Sequence, residues 1–238
     1  MYSKKLLAAT LLLAACSLRV PWKDEPVGAE VNVAFTLRKN LIVLSSVTID
    51  GRPGLFLLGT GEQRTLLDAG YAPALPKSSP HALRLNQREA LQFVPVVTEL
   101  HGVGDAIVGA DVWGSHSITI DYRTGLLTFS RLGIERAQMT VFRFAAEPMI
   151  DASVDGRTIP AVVDTASPDT LVLPRGNAAA GRRAAHVVIG GTDFGKVDVL
   201  FADVTQARAG NRLLSKFLVA IDYGRKQVGL WRDPRTSL

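Results

Sequence analysis

The chain has 238 residues, 47% hydrophobic and 21% charged, a balance that excludes wholesale disorder and allows one large domain or two small ones. Its formal charge is +5, two charges of which, Lys4 and Lys5, fall in a segment expected to be removed. The remainder is too weak and scattered to predict a nucleic-acid partner, and the short basic runs at Gly181 to Arg183 and Gly224 to Lys226 read as solvated turns.

In chain order, the first element is an address. A positive start, Met1 to Lys5, precedes an apolar stretch from Leu6 to Ala15. That stretch is too short for an ordinary membrane-spanning helix and suits a signal peptide over residues 1–15. It ends in Leu13-Ala14-Ala15-Cys16, which resembles a bacterial lipobox. The resemblance implies that Cys16 is lipidated, becomes the mature N-terminus and makes the membrane a partner through its lipid. A plain signal peptide with an incidental cysteine is the alternative. Cys16 is the only cysteine, so no internal disulfide can form and stability must come from the core. Ser17 follows it; in bacteria that use an aspartate there as a retention signal, its absence implies the outer membrane of the cell envelope, with the body facing the periplasm. Residues 16–30 carry two prolines and mixed charge and read as a tether. No other stretch is apolar and long enough to cross a membrane.

From residue 31 onward the chain is dominated by short runs rich in Val, Ile, Leu and Thr, separated by Gly, Pro, Asn and Asp turns. They predict strands at Val31 to Leu37, Leu41 to Ile49, Gly54 to Leu58, Leu91 to Leu100, Ser117 to Tyr122 and Leu126 to Ser130. Asn211 to Leu218 is the one expected short helix. Val188 to Gly195, with closely spaced glycines, reads as a hairpin tip.

The runs repeat. Residues 50–67 lie on 155–172 without a gap, matching Asp50-Gly51-Arg52 to Asp155-Gly156-Arg157, Thr60 to Thr165, Thr65 to Thr170 and Leu66 to Leu171. Farther on, Ser117 to Phe129 resembles Phe217 to Trp231, each with an Asp-Tyr pair, Asp121-Tyr122 and Asp222-Tyr223. Two matches in the same order predict a duplication, with halves at 31–133 and 138–238 joined near Arg131 to Met139 and packed about a pseudo-twofold axis. The apolar strand before Thr165 ends in Asp164, whereas the one before Thr60 ends in Gly59.

The repeated unit, through "VDGRTIPAVVDTASPDTLVL" and "LLSKFLVAIDY", resembles the lobe of an aspartic protease. Its short lobes are similar to retropepsins, and two on one chain is a pepsin-like arrangement. The resemblance implies an all-β fold of two retropepsin-like β-barrel lobes related by a pseudo-twofold axis. It further implies that Asp164 occupies one catalytic position and Gly59 the degenerate other, that Thr60 and Thr165 cross-link the two loops, and that Gly61 and Ala166 belong to the cleft loops. In the family an apolar-apolar-Gly segment packs beside each loop. Ile107-Val108-Gly109 fits it in the first half, and Leu213-Leu214-Ser215 is taken as its counterpart in the second, so the second half is expected to have lost that glycine. The Val188–Gly195 tip would be the flap over the cleft.

Peptide hydrolysis by this chemistry needs two close carboxylates sharing a proton, one acting as base on water and one as acid on the carbonyl. Glu62 and Asp68 follow Gly59 but are not expected to replace the missing acid. The histidines, His81, His101, His116 and His186, lack metal-ligand spacing, and there is no Gly-x-Ser-x-Gly, Ser-x-x-Lys, Gly-x-Gly-x-x-Gly or Walker pattern, so no metal or cofactor is predicted. Asp121 and Asp222 read as structural, and Trp113 and Trp231 as core or interface. Three functions stay open: an envelope lipoprotein that binds a peptide or protein in a catalytically impaired cleft; an endopeptidase whose second acid comes from a second chain; and a structural or assembly lipoprotein with its cleft filled by its own side chains.

Overall fold

A computed structural model describes residues 30–233 apart from 77–78, 88, 115, 131–133, 135–137 and 178. The expected signal segment, Cys16, the tether to residue 29 and most of the expected junction lie outside the described residues.

The first half runs through β1 (Val31–Arg38), β2 (Leu41–Leu44), β3 (Thr48–Ile49), β4 (Phe56–Leu58), β5 (Leu66–Asp68), a 3-10 turn (Ala72–Ala74), β6 (His81–Arg84), β7 (Ala90–Phe93), β8 (Val96–Thr98), β9 (Ala106–Val108), α1 (Ala110–Trp113), β10 (Ser117–Asp121) and β11 (Leu126–Ser130). The second half follows with β12 (Thr140–Arg143), β13 (Met149–Val154), β14 (Arg157–Val163), β15 (Leu171–Pro174), β16 (Gly181–Ile189), β17 (Thr192–Ala202), β18 (Ala207–Ala209), α2 (Asn211–Leu214), β19 (Leu218–Asp222) and β20 (Gln227–Trp231). The protein is all-β and two-lobed, as the resemblance implies.

Local sequence accounts for much of this. In β1, Val33 and Phe35 face inward while Asn32, Ala34 and Thr36 face out, the period-two pattern of a half-buried strand. Asp50-Gly51 and Asp155-Gly156 both take positive φ at both residues, the tight-turn geometry that Asp-Gly favours. In the second half that turn joins β13 to β14, pairing Val154 with Arg157.

The two halves share one construction. In the first, β4 and β9 run parallel, β5 pairs antiparallel with β9, and β5 runs parallel to β8. In the second, β14, β18, β15 and β17 repeat those relations in the same order. The second half closes into a barrel, β13-β14-β18-β15-β17-β16. The first instead splits, with β3, β6 and β7 forming a separate small sheet. Between the halves lies a run of strands ordered β12-β20-β19-β10-β11-β1, whose central pair, β10 and β19, is antiparallel with Ile118 opposite Ile221 and Ile120 opposite Val219. These four side chains are fully buried. At about 1.5–3 kcal/mol for each large aliphatic side chain buried, they bind the halves into one body.

Three expectations are corrected. The helix is one turn long: Leu218 leaves it for β19, because the apolar run that follows is needed on both faces of the shared sheet. The hairpin tip at Gly190 and Gly191 is tied to β12, where the Gly190 carbonyl accepts a hydrogen bond from Thr140 Oγ1 at 3.3 Å, so it is not a free flap. The counterpart of Ile107-Val108-Gly109 is Arg208-Ala209-Gly210, since β9 leads through Gly109 into α1 and β18 leads through Gly210 into α2. Both halves therefore keep this glycine, and the reason is steric. A Cβ on Gly109 would sit 2.6 Å from the Arg64 carbonyl, and one on Gly210 would sit 2.4 Å from the Asp169 carbonyl oxygen. Backbone cannot yield as a side-chain tip does, so Gly210→Ala should lower unfolding free energy by about 1–3 kcal/mol or more. Gly224→Ala, whose Cβ meets nothing closer than 3.4 Å, should be near neutral in the same urea titration. Equal midpoints for the two variants would refute this account.

Candidate functional site

Apolar strands β4 and β14 each end in a loop, and the two loops meet between the halves. Thr60 Oγ1 donates to the Val163 carbonyl at 2.6 Å and accepts from the Thr165 N–H at 3.1 Å. Thr165 Oγ1 donates to the Leu58 carbonyl at 2.6 Å and accepts from the Thr60 N–H at 3.1 Å. Both threonines are fully buried, so these four bonds satisfy polar groups that water cannot reach.

Two tyrosines brace this crossing. Tyr223, from the second half, donates to the Thr60 carbonyl at 2.9 Å. Tyr122, from the first half, donates to Asn211 Oδ1 at 2.7 Å, and Asn211 Nδ2 donates to the Thr165 carbonyl at 2.6 Å. Burial pushes both phenols above their ordinary range, consistent with neutral donors. The Asp-Tyr pairs thus act as units. Asp121 Oδ1 accepts from the Arg123 and Thr124 N–H groups, and Asp222 Oδ1 from the Arg225 N–H, each shaping the turn that follows its tyrosine.

Asp164 lies at the centre, 2% exposed. Its Oδ1 accepts from the Ala166 N–H at 2.9 Å, and its Oδ2 accepts from Arg208 Nη1 at 2.7 Å. Gly61 presses against it, since a Cβ there would lie 3.3 Å from the Asp164 side chain. Across the pseudo-twofold axis, Gly59 has no carboxylate, and Ile107 occupies the space: a Cβ on Gly59 would sit 2.5 Å from Ile107 Cγ2.

The pair Ile107 and Arg208 occupy matching positions in β9 and β18, and sequence reasoning missed Arg208 entirely. It breaks the expected apolar-apolar-Gly pattern, and that break is the signal that could have found it. Burial works against its charge, but the Asp164 bond and the charges of Asp164, Glu62 and Glu147 outweigh that and hold it above its ordinary value. Arginine is never deprotonated in proteins, so it cannot serve as the second acid or base.

Glu62 is nearer the centre than expected. Its Cγ is 3.2 Å from where a Gly59 Cβ would stand, and its Oε1 is 4.0 Å from Arg208 Nη1. Asp68 is not at the site: its carboxylate accepts from the Gly70 and Leu100 N–H groups. Burial, then the charges of Asp164 and Glu147, push the Glu62 carboxyl above its usual range, against the pull of Arg208. A raised carboxyl favours the folded state when protonated, so that contribution is full below the unfolded value and is lost as pH rises through the folded one. Glu62→Gln escapes the loss. Its urea midpoint should therefore gain on the native protein between pH 4 and pH 7, and a difference that is flat or opposite in sign would show that Glu62 is not held this way.

Among the described residues no group of three His, Cys, Asp or Glu side chains is placed to hold a metal. His81 Nδ1 instead meets Asp50 Oδ2 at 2.6 Å, and His186 Nε2 meets Asp193 Oδ1 at 2.9 Å.

No family model and no curated protein matches the chain. Among solved structures it is similar to the aspartic proteinase from Irpex lacteus, with a TM-score of 0.61 and 12% sequence identity over 88% of this chain and 99% of that one. At that identity the likeness shows an aspartic-proteinase fold and nothing finer.

Proposed function

We propose that this chain is a catalytically impaired member of the aspartic-protease fold that holds a peptide or protein segment in the cleft between its lobes. The observation that carries the reading is the Arg208–Asp164 contact of 2.7 Å opposite Gly59. A dyad needs two carboxylates that share a proton; this centre has one carboxylate hydrogen-bonded to a cation that titrates at no working pH. The scaffold around it is kept. Both threonines, both tyrosine braces and both close-approach glycines are in place, so what has changed is the chemistry and not the cleft's support.

The sequence of the first sixteen residues adds the location. We read the protein as a lipoprotein of a bacterial envelope, anchored through Cys16. Cys16→Ser should move it from the membrane fraction to the soluble one, with loss of the lipid mass from the N-terminal peptide.

The test of the cleft is incubation of the lipid-free protein with a mixed peptide library at pH 4 and pH 7. Peptides should be retained intact. Cleavage that disappears with Asp164→Ala would overturn the reading. A second reading rests on Glu62, whose raised carboxyl stands beside Gly59. It predicts cleavage that is lost in Glu62→Gln as well as in Asp164→Ala.

A further inference from the structure

Away from the cleft, the two halves differ at the short helix. In the first half Asp111, in α1, accepts at Oδ1 from the Thr65 N–H at 2.9 Å and from Thr65 Oγ1 at 2.7 Å. This clamp ties α1 to the start of β5. The matching residues in the second half are Arg212, in α2, and Thr170. Arginine has five donors and no acceptor, so it cannot form that clamp. Among the described residues, neither Arg212 nor Lys216, one helical turn on, has an acidic partner, and both are exposed. The nearby carboxylate of Asp169 is already taken by Arg182.

Where the clamp is missing there is a cavity of about 520 Å³. Arg212 and Lys216 line it together with Thr170, Ser215, Phe194 and Asn40, and among the described residues no acidic side chain does. Asn40 comes from the β1–β2 turn of the other half, so both halves contribute. Phe194 is held edge-on by Phe217 with ring centroids 5.6 Å apart, which presents a fixed aromatic wall. Two cations, several neutral hydrogen-bonding groups and one aromatic wall make a recognisable combination.

We propose that this cavity is a second binding site, separate from the cleft, for a small organic anion: a phosphate or carboxylate carried on a planar or apolar body. The anionic group lies between Arg212 and Lys216, and the body lies along Phe194.

Phenyl phosphate is the probe, followed by backbone amide shifts of the lipid-free protein. Saturable shifts should cluster in 192–197 and 211–216. Charge-assisted bonds are the stronger kind, so Arg212→Ala with Lys216→Ala should weaken binding by about tenfold or more. Both residues are exposed, so the fold should survive. Arg212→Asp should rebuild the first half's clamp onto Thr170 and abolish binding. Benzoate should bind and benzyl alcohol should not, while inorganic phosphate separates the contribution of the anion from that of the ring. Four results would each overturn the proposal: no saturable shifts in the millimolar range, shifts located elsewhere, unchanged affinity in the double variant, or benzyl alcohol binding as well as phenyl phosphate.

Discussion

Gly59→Asp combined with Arg208→Ile is expected to cut peptides at acidic pH, whereas Gly59→Asp alone is expected to stay near the native background. The single change supplies the missing carboxylate but leaves Arg208 hydrogen-bonded to Asp164, so the two acids cannot form an isolated pair that shares one proton. Replacing Arg208 with isoleucine copies the residue at the matching position, Ile107, and removes the cation. A general acid or base contributes on the order of 10²–10⁴ in rate, and the double variant should gain over Gly59→Asp by an amount in that range. Its activity should fall away on both sides of an optimum, because one carboxyl must be protonated and the other ionised. A steric cost comes with the new side chain: Ile107 Cγ2 must leave the space 2.5 Å from the added Cβ, and Ile107→Ala in the same background relieves it. The control is Asp164→Ala in the double variant, which should return it to background. If Gly59→Asp alone cuts as fast as the double variant, Arg208 is not the obstacle. If neither cuts, with or without Ile107→Ala, the loops have drifted from the geometry that the chemistry needs.

Thr60→Val is expected to be the most damaging conservative change in the protein. Valine matches threonine in shape, so packing is nearly unchanged, but the hydroxyl both donates to the Val163 carbonyl and accepts from the Thr165 N–H. Each partner loses that bond in a region closed to solvent, at about 1–3 kcal/mol per group left unsatisfied. The expected loss of roughly 2–6 kcal/mol is a large part of the roughly 5–15 kcal/mol that typically holds a folded protein. Thr60→Ser keeps the oxygen and should cost far less. Thr165→Val should match Thr60→Val, since the pair is symmetric, and the double variant should lose less than the sum of the two, because the four bonds act as one unit. Urea unfolding of the four proteins checks this. A Thr60→Val midpoint near that of Thr60→Ser would mean that water or another group replaces the hydroxyl.

Much of the architecture is local and was legible. Period-two runs such as Val31 to Leu37 specify strands wherever one face is buried. Asp50-Gly51 and Asp155-Gly156 specify tight turns because those residue types tolerate positive φ. The ungapped match of 50–67 to 155–172 specifies two equivalent loops, and with them the pairing of Thr60 with Thr165 and the contrast between Gly59 and Asp164. The second landmark is hidden in the sequence because the segment between loop and helix is shorter in the second half. An arginine also stands where an apolar residue was sought, so Leu213-Leu214-Ser215 matched the pattern better than Arg208-Ala209-Gly210.

The amino-acid sequence by itself determined that this is a duplicated all-β chain whose two equivalent loops carry Asp164 in one copy and Gly59 in the other, since strands and turns are set by residues close along the chain and the repeat shows when one half is laid on the other. Only the tertiary structure decided what that acid faces. Arg208 is brought to Asp164, Ile107 and Glu62 to the space beside Gly59, and Tyr122 and Tyr223 to the opposite halves, by strands that pair across tens of residues. A side chain's charge partner is fixed by what folding places beside it, and no local pattern encodes that.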